Sequence, residues 1–249
     1  MDHPEQLPER LISPATLATV LVLGGLLLGA AWLRAGLVGS EQWPIRWLDV
    51  EGELNRTSAS QIRSAAIGSA SAGFFAADLA TVRAEIEKLP WVARAEVSRQ
   101  WPDALRISVR EHRPVARWND AGLFSDSGQV FEVNGSQNMQ GLARLTGPES
   151  RQAEVLESWQ QMRRSLAVVG LDIGELGVDQ RGAWTMVLNN GVELRLGRQH
   201  VHERLERFVQ VHEELRASGR QAALIDLRYT NGLSIRWAAQ ESGELERHG

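Results

Sequence analysis

The side chains best suited to hold a metal ion lie in one stretch of the chain and are His200, His202 and His212. Zinc in proteins takes imidazole and carboxylate ligands that converge on one point. A helix that starts near Val201 does not bring the three rings onto one face, and Glu203 is better explained as a first-turn carboxylate that the helix dipole stabilises. We therefore predict no metal site and no cofactor.

Catalytic motifs are also missing from the sequence. No Gly-x-Ser-x-Gly elbow, Ser-x-x-Lys set or phosphate-cradling glycine-rich loop stands between a predicted strand and helix. Neighbouring carboxylates such as Glu85 and Glu87 lie two residues apart on a predicted helix and face different directions. The 249 residues include no cysteine, which excludes a thiol nucleophile, disulfides and thiolate metal sites. We predict no catalytic residues and no enzymatic activity.

Backbone pairing is the chemistry that the C-terminal residues favour. Two apolar stretches, 224–229 and 233–237, flank the turn Thr230-Asn231-Gly232, and this pattern predicts a hairpin. A terminal strand has no later strand that must cover it, so its free amides and carbonyls can pair with another chain. We expect function to concentrate at this hairpin.

The side chains of the last predicted strand alternate between two faces. Leu233, Ile235 and Trp237 point to one side, and Ser234 and Arg236 point to the other. An added strand would therefore meet a backbone ladder together with one polar row of side chains.

Tyr229 and Trp237 are the predicted aromatic anchors of a protein interface, because large rings bury much area at a small entropy cost. The alternative, which the residues leave open, is that both rings close the core. Arg181, Arg195 and Arg198 would add a basic rim for an acidic partner segment, with solvated surface arginine as the alternative.

An uncharged apolar run, Leu11–Leu33, sets the predicted architecture. Its roughly 23 residues suffice to cross a hydrocarbon core of roughly 30 Å as a helix. A cleaved secretory signal is the alternative, but it needs a basic start and a shorter apolar centre, whereas residues 1–10 are acidic. The flanking arginines Arg10, Arg34 and Arg46 leave the orientation undecided. We predict an uncleaved transmembrane anchor.

The overall charge argues against nucleic-acid binding. The formal net charge is −4 and the isoelectric point is about 5.9. Nucleic-acid binders need basic surface to displace counterions from phosphates. The length that remains after the anchor suits one or two folded domains.

The first folded segment predicts the order strand, helix, helix, strand, strand between Ile45 and Val109. Ser58 and Gln61 fit a capping box, and Asp78 is placed to cap the second helix. Such an α+β unit buries one face of its sheet beneath two helices. The predicted core residues are Trp47, Leu79, Ile86, Val97, Ile107 and Val109.

The second segment, Val115–Ala239, predicts a β-rich α+β domain. Hairpin turns are expected at Asp126-Ser127-Gly128 and Asn189-Asn190-Gly191. Helices are expected at about 150–169 and 201–217. Their predicted inward side chains are Leu156, Trp159, Met162, Leu166, Leu205, Phe208, Val209 and Leu215.

Three stretches of the first segment resemble a POTRA domain: Glu87–Val92, Arg99–Ile107 and Glu111–Trp118. More narrowly, they are similar to the POTRA domain of the FtsQ/DivIB family of bacterial cell-division proteins. The following β-rich domain and the single anchor extend this resemblance over nearly the whole chain. The organisation that it implies is a cytoplasmic segment (1–10), a transmembrane helix (11–33), a juxtamembrane linker (34–44), a POTRA domain (45–114), an FtsQ-type β domain (115–239) and a charged tail (240–249).

The resemblance also implies a location and partners. The family places its N-terminus in the cytoplasm and its body in the periplasm, as a single-pass protein of the inner membrane at the division septum. It binds the bitopic division proteins FtsB and FtsL chiefly through the C-terminal hairpin. The partner-binding residues that the hairpin and its surroundings would supply are Arg181, Arg228, Tyr229, Asn231, Gly232, Leu233, Ile235, Arg236 and Trp237.

The function expected from this resemblance is a non-catalytic divisome scaffold that captures FtsB and FtsL by strand addition, with further divisome components meeting the POTRA domain. A membrane-anchored periplasmic enzyme of unknown chemistry is one alternative. A POTRA-containing protein-assembly factor is another, but such proteins continue into a long β-barrel that this chain has neither the length nor the strands to form.

Overall fold

The computed structural model describes residues 14–38, 43–230 and 232–238. The chain divides into two compact units, Met1–Glu111 (unit 1) and His112–Gly249 (unit 2). Both units mix helices and strands, in agreement with the predicted α+β class. The domain limits given above remain predictions.

Helix α1, Pro14–Val38, forms in the apolar N-terminal run. Its described leucines, among them Leu27 and Leu28, are largely exposed. Within the described residues, no helix combines the length and the apolar character needed to cross a membrane. The transmembrane span predicted at residues 11–33 is not confirmed, and its first three residues lie outside the described chain.

The body of unit 1 is a three-stranded sheet with two helices. Its strands lie in the order β1-β3-β2, with β1 parallel and β2 antiparallel to the central β3. The predicted strand-helix-helix-strand-strand order is confirmed. The elements are β1 (Trp47–Glu51), α2 (Ala59–Ala70), α3 (Leu79–Glu87), β2 (Val92–Gln100) and β3 (Ala104–Glu111).

Both predicted helix caps of unit 1 form. The Ser58 hydroxyl accepts from the Gln61 backbone amide, and the Gln61 side chain accepts in return from the Ser58 amide at 2.9 Å. The Asp78 carboxylate accepts from the amide of Ala80 at 3.0 Å. These local bonds satisfy amides that would otherwise lack partners in the first helical turn.

The core of unit 1 lies between the sheet and helices α2 and α3. Of the predicted core residues, Ile86, Ile107 and Val109 are buried, while Leu79 and Val97 are partly buried. The remaining buried members of this core are Ile62, Ala66, Val82, Val92 and Ala95.

The predicted inward position of Trp47 is wrong, because its side chain is 68% exposed. Leu48 and Val50 pack against the core instead. The parallel pairing with β3 aligns Leu48 with Leu105 and Val50 with Ile107, so the even-numbered residues of β1 face the helices. Since side chains alternate along a strand, this register turns Trp47 to the opposite face.

Unit 2 is built on a nine-stranded mixed sheet in the order β12-β11-β10-β9-β8-β7-β4-β5-β6. The predicted hairpin turns at 126–128 and 189–191 connect β5 to β6 and β9 to β10. The elements are β4 (Pro114–Trp118), β5 (Gly122–Ser125), β6 (Val130–Glu132), β7 (Ala143–Thr146), α4 (Gln152–Ala167), β8 (Ile173–Val178), β9 (Trp184–Leu188), β10 (Glu193–Gly197), α5 (Val201–Ala217), β11 (Ala222–Asp226) and β12 (Ser234–Trp237).

Helices α4 and α5 share one hydrophobic core with the sheet. All four predicted inward residues of α4 are buried. On α5, Leu205 and Phe208 are buried, whereas Val209 and Leu215 are partly buried at the edge of this core. The core extends to the C-terminal hairpin, where it includes Ile225.

Candidate protein-interaction edge

Strand β12 is the terminal strand of the nine-stranded sheet, and in the described chain it pairs only with β11. The pairing is antiparallel and aligns Ser234 with Asp226 and Ile235 with Ile225. The predicted C-terminal hairpin is therefore present, and no strand among the described residues pairs with the outer side of β12.

The backbone amides of β12 point alternately toward β11 and toward the outer side of the strand. The amide of Ala238 donates to the carbonyl of Gln221 at 2.8 Å, which directs it toward β11. Backbone groups alternate in direction along an extended strand. The amides of Ile235 and Trp237 therefore point to the free side and are available to a further strand.

The side chains of the edge follow the predicted alternation. Leu233 and Ile235 pack against the core of unit 2. Ser234 and Arg236 are exposed on the other face. Apolar packing thus holds the strand in place while one polar row stays accessible.

The two aromatic residues of the hairpin have different environments. Tyr229 is 58% exposed, so it does not close the core. Trp237 is half-buried, and the guanidinium of Arg220 lies 4.3 Å from the centroid of its ring. The Trp237 ring also lines a cavity of about 310 Å³, together with Phe208 and Ile225 among others. Tyr229 is thus accessible to solvent, whereas Trp237 packs partly against the protein itself.

Two arginines of α5 hold the turn that carries Tyr229. Arg204 donates to the carbonyls of Leu196 at 2.6 Å and Arg228 at 3.1 Å. Arg207 donates to the carbonyl of Tyr229 at 3.0 Å. Neither arginine was predicted from the sequence, because no local motif connects α5 with a turn more than twenty residues later.

Arg228 is engaged within the hairpin. Its guanidinium donates to the carboxylate of Asp226, with Nη2 2.6 Å from Oδ2, and its backbone amide donates to the same carboxylate at 3.1 Å. The bond from Arg228 lowers the pKa of Asp226 below its ordinary value, against burial, which would raise it. Arg228 therefore stabilises the end of β11, and part of its side chain remains exposed.

Gly197 permits close packing beneath this turn. Its φ is +76°, a backbone conformation that favours glycine. A Cβ there would lie 2.8 Å from Nη1 of Arg204 and 3.1 Å from Cγ of Arg228. The role of Gly197 was not predicted from the sequence, in which a glycine at the end of a strand is the only signal.

The other predicted contact residues are spread over the same end of the sheet. Arg181 is exposed in the turn between β8 and β9, and strands β10 and β11 lie between this turn and β12. Gly232 has open space around its Cα. Asn231 lies outside the described residues.

The predicted metal candidates do not form a cluster. In the part of the chain that the structure describes, no three histidine, aspartate or glutamate side chains are placed to hold a metal ion. A polar cleft of about 380 Å³ includes His200 and Arg151. There Arg151 donates to Glu154 at 2.8 Å, and Nδ1 of His200 lies 3.1 Å from Glu203.

Comparison with known proteins gives matches over both units. The model of the FtsQ-type POTRA domain matches residues 43–112, and that of the C-terminal part of cell division protein FtsQ/DivIB matches residues 116–228. The second range ends just before Tyr229.

Three relatives are each named cell division protein FtsQ. The protein of Allochromatium vinosum is 38% identical over 234 residues, which cover 92% of this chain and 90% of the relative. That of Xanthomonas campestris is 38% identical over 209 residues, 84% and 75% of the two chains. That of Escherichia coli K12 is 33% identical over 229 residues, 89% and 81% of the two chains. The chain therefore belongs to the FtsQ family of bacterial cell-division proteins.

Proposed function

We propose that this chain is a non-catalytic scaffold of the divisome that captures its bitopic partners FtsB and FtsL by adding a partner strand to the free edge of β12. Membership of a cell-division family supports the divisome role. The observation that carries the capture proposal is the open outer side of β12, with the Ile235 and Trp237 amides directed away from β11.

The partner strand would gain both affinity and specificity at this edge. Main-chain hydrogen bonds to an open strand supply affinity, and alternating side chains supply specificity. The exposed row of Ser234 and Arg236 would select the partner sequence. Tyr229, exposed and held by the Arg207 contact to its carbonyl, would serve as the aromatic anchor at one end.

We further propose that residues 11–33 anchor the chain in the inner membrane, with the N-terminus in the cytoplasm and both units in the periplasm. The uncharged run and the exposed leucines of α1 support this proposal. Confinement of the partners to one membrane raises their effective concentration, so a weak edge interaction would suffice. Alkaline phosphatase fused after Val38 would be active in cells if the orientation is right, and inactive if the body is cytoplasmic.

The capture proposal is tested by binding of the periplasmic segment of FtsB to the full chain in nanodiscs. Tyr229→Ala should weaken binding by roughly 30-fold, the effect of about 2 kcal/mol expected for an aromatic hot spot. Val168→Ala is the matched control, because Val168 is 82% exposed on unit 2 at the end of α4. Equal affinity of both folded variants would place the interface elsewhere.

A further inference from the structure

Exposed aromatic side chains gather at one end of the three-stranded sheet in unit 1. Trp47 is 68% exposed, Phe75 48% and Trp101 76%. Trp43 lies beside them and is half-buried. We call these four residues the aromatic end.

The sheet brings two of these residues together. Trp47 opens β1 and pairs with Ala104, the first residue of β3. The amide of Trp47 donates to the carbonyl of Asp103 at 3.3 Å. Trp101 lies in the same turn, between β2 and β3. Both exposed indoles therefore belong to the end of the sheet at which β1 begins.

The loop before α3 adds the other two rings. The amide of Phe74 donates to the carbonyl of Trp43 at 2.8 Å, and the rings of Trp43 and Phe75 lie 5.6 Å apart, edge to face. Arg99, near the end of β2, donates to the carbonyls of Phe74 and Ala77, both at 2.6 Å. This clamp holds the loop at the aromatic end of the sheet.

We propose that the aromatic end rests in the headgroup region of the lipid bilayer. Tryptophan is enriched at membrane-water interfaces, where its apolar ring and its polar N–H are both accommodated. Arg46 lies 3.8 Å from the carboxylate of Asp103, and its side chain remains 70% exposed beside Trp47, which suits an anionic headgroup surface. The alternative occupant of this exposed aromatic surface is a protein partner.

The length of the connection to α1 supports the lipid surface as the occupant. Trp43 follows Val38, the last residue of α1, by five residues. A fully extended chain of that length spans at most about 18 Å, and the five residues of α1 beyond Leu33, where the proposed span ends, add about 7.5 Å. The aromatic end is thus confined near the membrane if α1 is anchored there. The proposal rests on the membrane anchor proposed above.

Fluorophores attached to single introduced cysteines can test this contact, because the chain contains no cysteine of its own. Intrinsic fluorescence would not be specific, since the chain contains nine tryptophans. Full-length variants carrying one fluorophore each would be reconstituted in vesicles of phosphatidylethanolamine and phosphatidylglycerol that contain quencher lipids at headgroup level or, for a label within α1, along the acyl chain. Gln100→Cys reports on the aromatic end, since Gln100 is exposed next to Trp101. Arg94→Cys, roughly 20 Å away along β2, is the control. Leu27→Cys reports on insertion of α1.

The proposal expects quenching of the labels at Gln100→Cys and Leu27→Cys, and none at Arg94→Cys. Trp47→Ser and Trp101→Ser, combined in the Gln100→Cys background, should abolish its quenching while thermal unfolding stays unchanged. If only the Leu27→Cys label is quenched, the anchor stands but the aromatic end faces something other than lipid, and the proposal is wrong. If no label is quenched, the anchor fails and the proposal fails with it.

Discussion

Arg228 closes on Asp226 at the end of β11, with Nη2 of the guanidinium 2.6 Å from Oδ2 of the carboxylate. Asp226 is only 7% exposed, and the hydrogen bond from Arg228 holds its pKa below the ordinary value. Asp226→Asn should lower the free energy of unfolding by about 1–2 kcal/mol, because the charge-assisted bonds are lost while the shape is kept. Urea denaturation checks this value. Asp120→Asn is the control, since the Asp120 side chain is 96% exposed. Equal unfolding curves for both variants would show that the contact does not stabilise the hairpin.

Gly197 should not tolerate a side chain. Gly197→Ala would place a methyl group against Arg204 and Arg228 at a φ of +76°, so we expect a loss of stability of about 1–3 kcal/mol and weaker partner binding. Gly170→Ala separates steric contact of the added methyl group from backbone strain, because Gly170 has a similar φ of +74° but open space around it. If Gly170→Ala costs as much stability as Gly197→Ala and partner binding is unchanged, backbone strain alone explains the effect.

The loop before α2 should lose stability in acid through Glu111. Burial would raise the pKa of Glu111, but the backbone amides of Thr57, Asn55 and Arg56 donate to its carboxylate and hold the pKa below its ordinary value. A lowered folded-state pKa gives stability that is present above the unfolded-state pKa and lost as the pH falls through the folded-state pKa.

The same carboxylate can be tested by substitution. At neutral pH, Glu111→Gln should unfold at a lower urea concentration than the original chain, with a free energy of unfolding lower by about 1–2 kcal/mol. This difference in free energy should vanish at a pH below the folded-state pKa of Glu111. Asp49→Asn serves as control, because Asp49 is an exposed carboxylate on β1 of the same unit. A difference that persists unchanged in strong acid would contradict the assigned role of the charge.

The free amide of Ile235 should be needed for partner capture. Ile235→Pro removes that amide, whereas Ile235→Ala keeps it and removes only side-chain packing. We expect the proline variant to bind the FtsB segment about tenfold more weakly than the alanine variant, the equivalent of one lost hydrogen bond. Circular dichroism would establish that both variants are folded. Equal affinities would mean that the Ile235 amide makes no bond to the partner.

Local rules predicted much of the fold. The caps at Ser58 and Asp78, the hairpin turn at 189–191 and the buried face of α4 depend on residues within a few positions of one another, and all are confirmed. The inward position of Trp47 failed because the face of β1 is set by its pairing with β3, more than fifty residues later. Alternation alone does not fix which face is buried.

In the candidate site too, the features that depend on neighbouring residues were predicted and those that depend on distant contacts were not. The hairpin that carries β12 follows from the two apolar stretches that flank the turn at 230–232. The contacts of Arg204 and Arg207 with the turn, and the tight space around Gly197, depend on how α5 packs over the sheet. Such contacts leave no spacing signal in one sequence, so the residues that support the site are harder to predict than those on its surface.

Hydrogen exchange at single-amide resolution tests strand addition most directly. The full chain in nanodiscs would be compared with and without the FtsB segment. Strand addition predicts that the amides of Ile235 and Trp237 gain protection on binding, while the amide of Arg236, already directed toward β11, changes little. Complex formation with no added protection at Ile235 and Trp237, or with new protection at the opposite sheet edge in Val130–Glu132, would contradict the account.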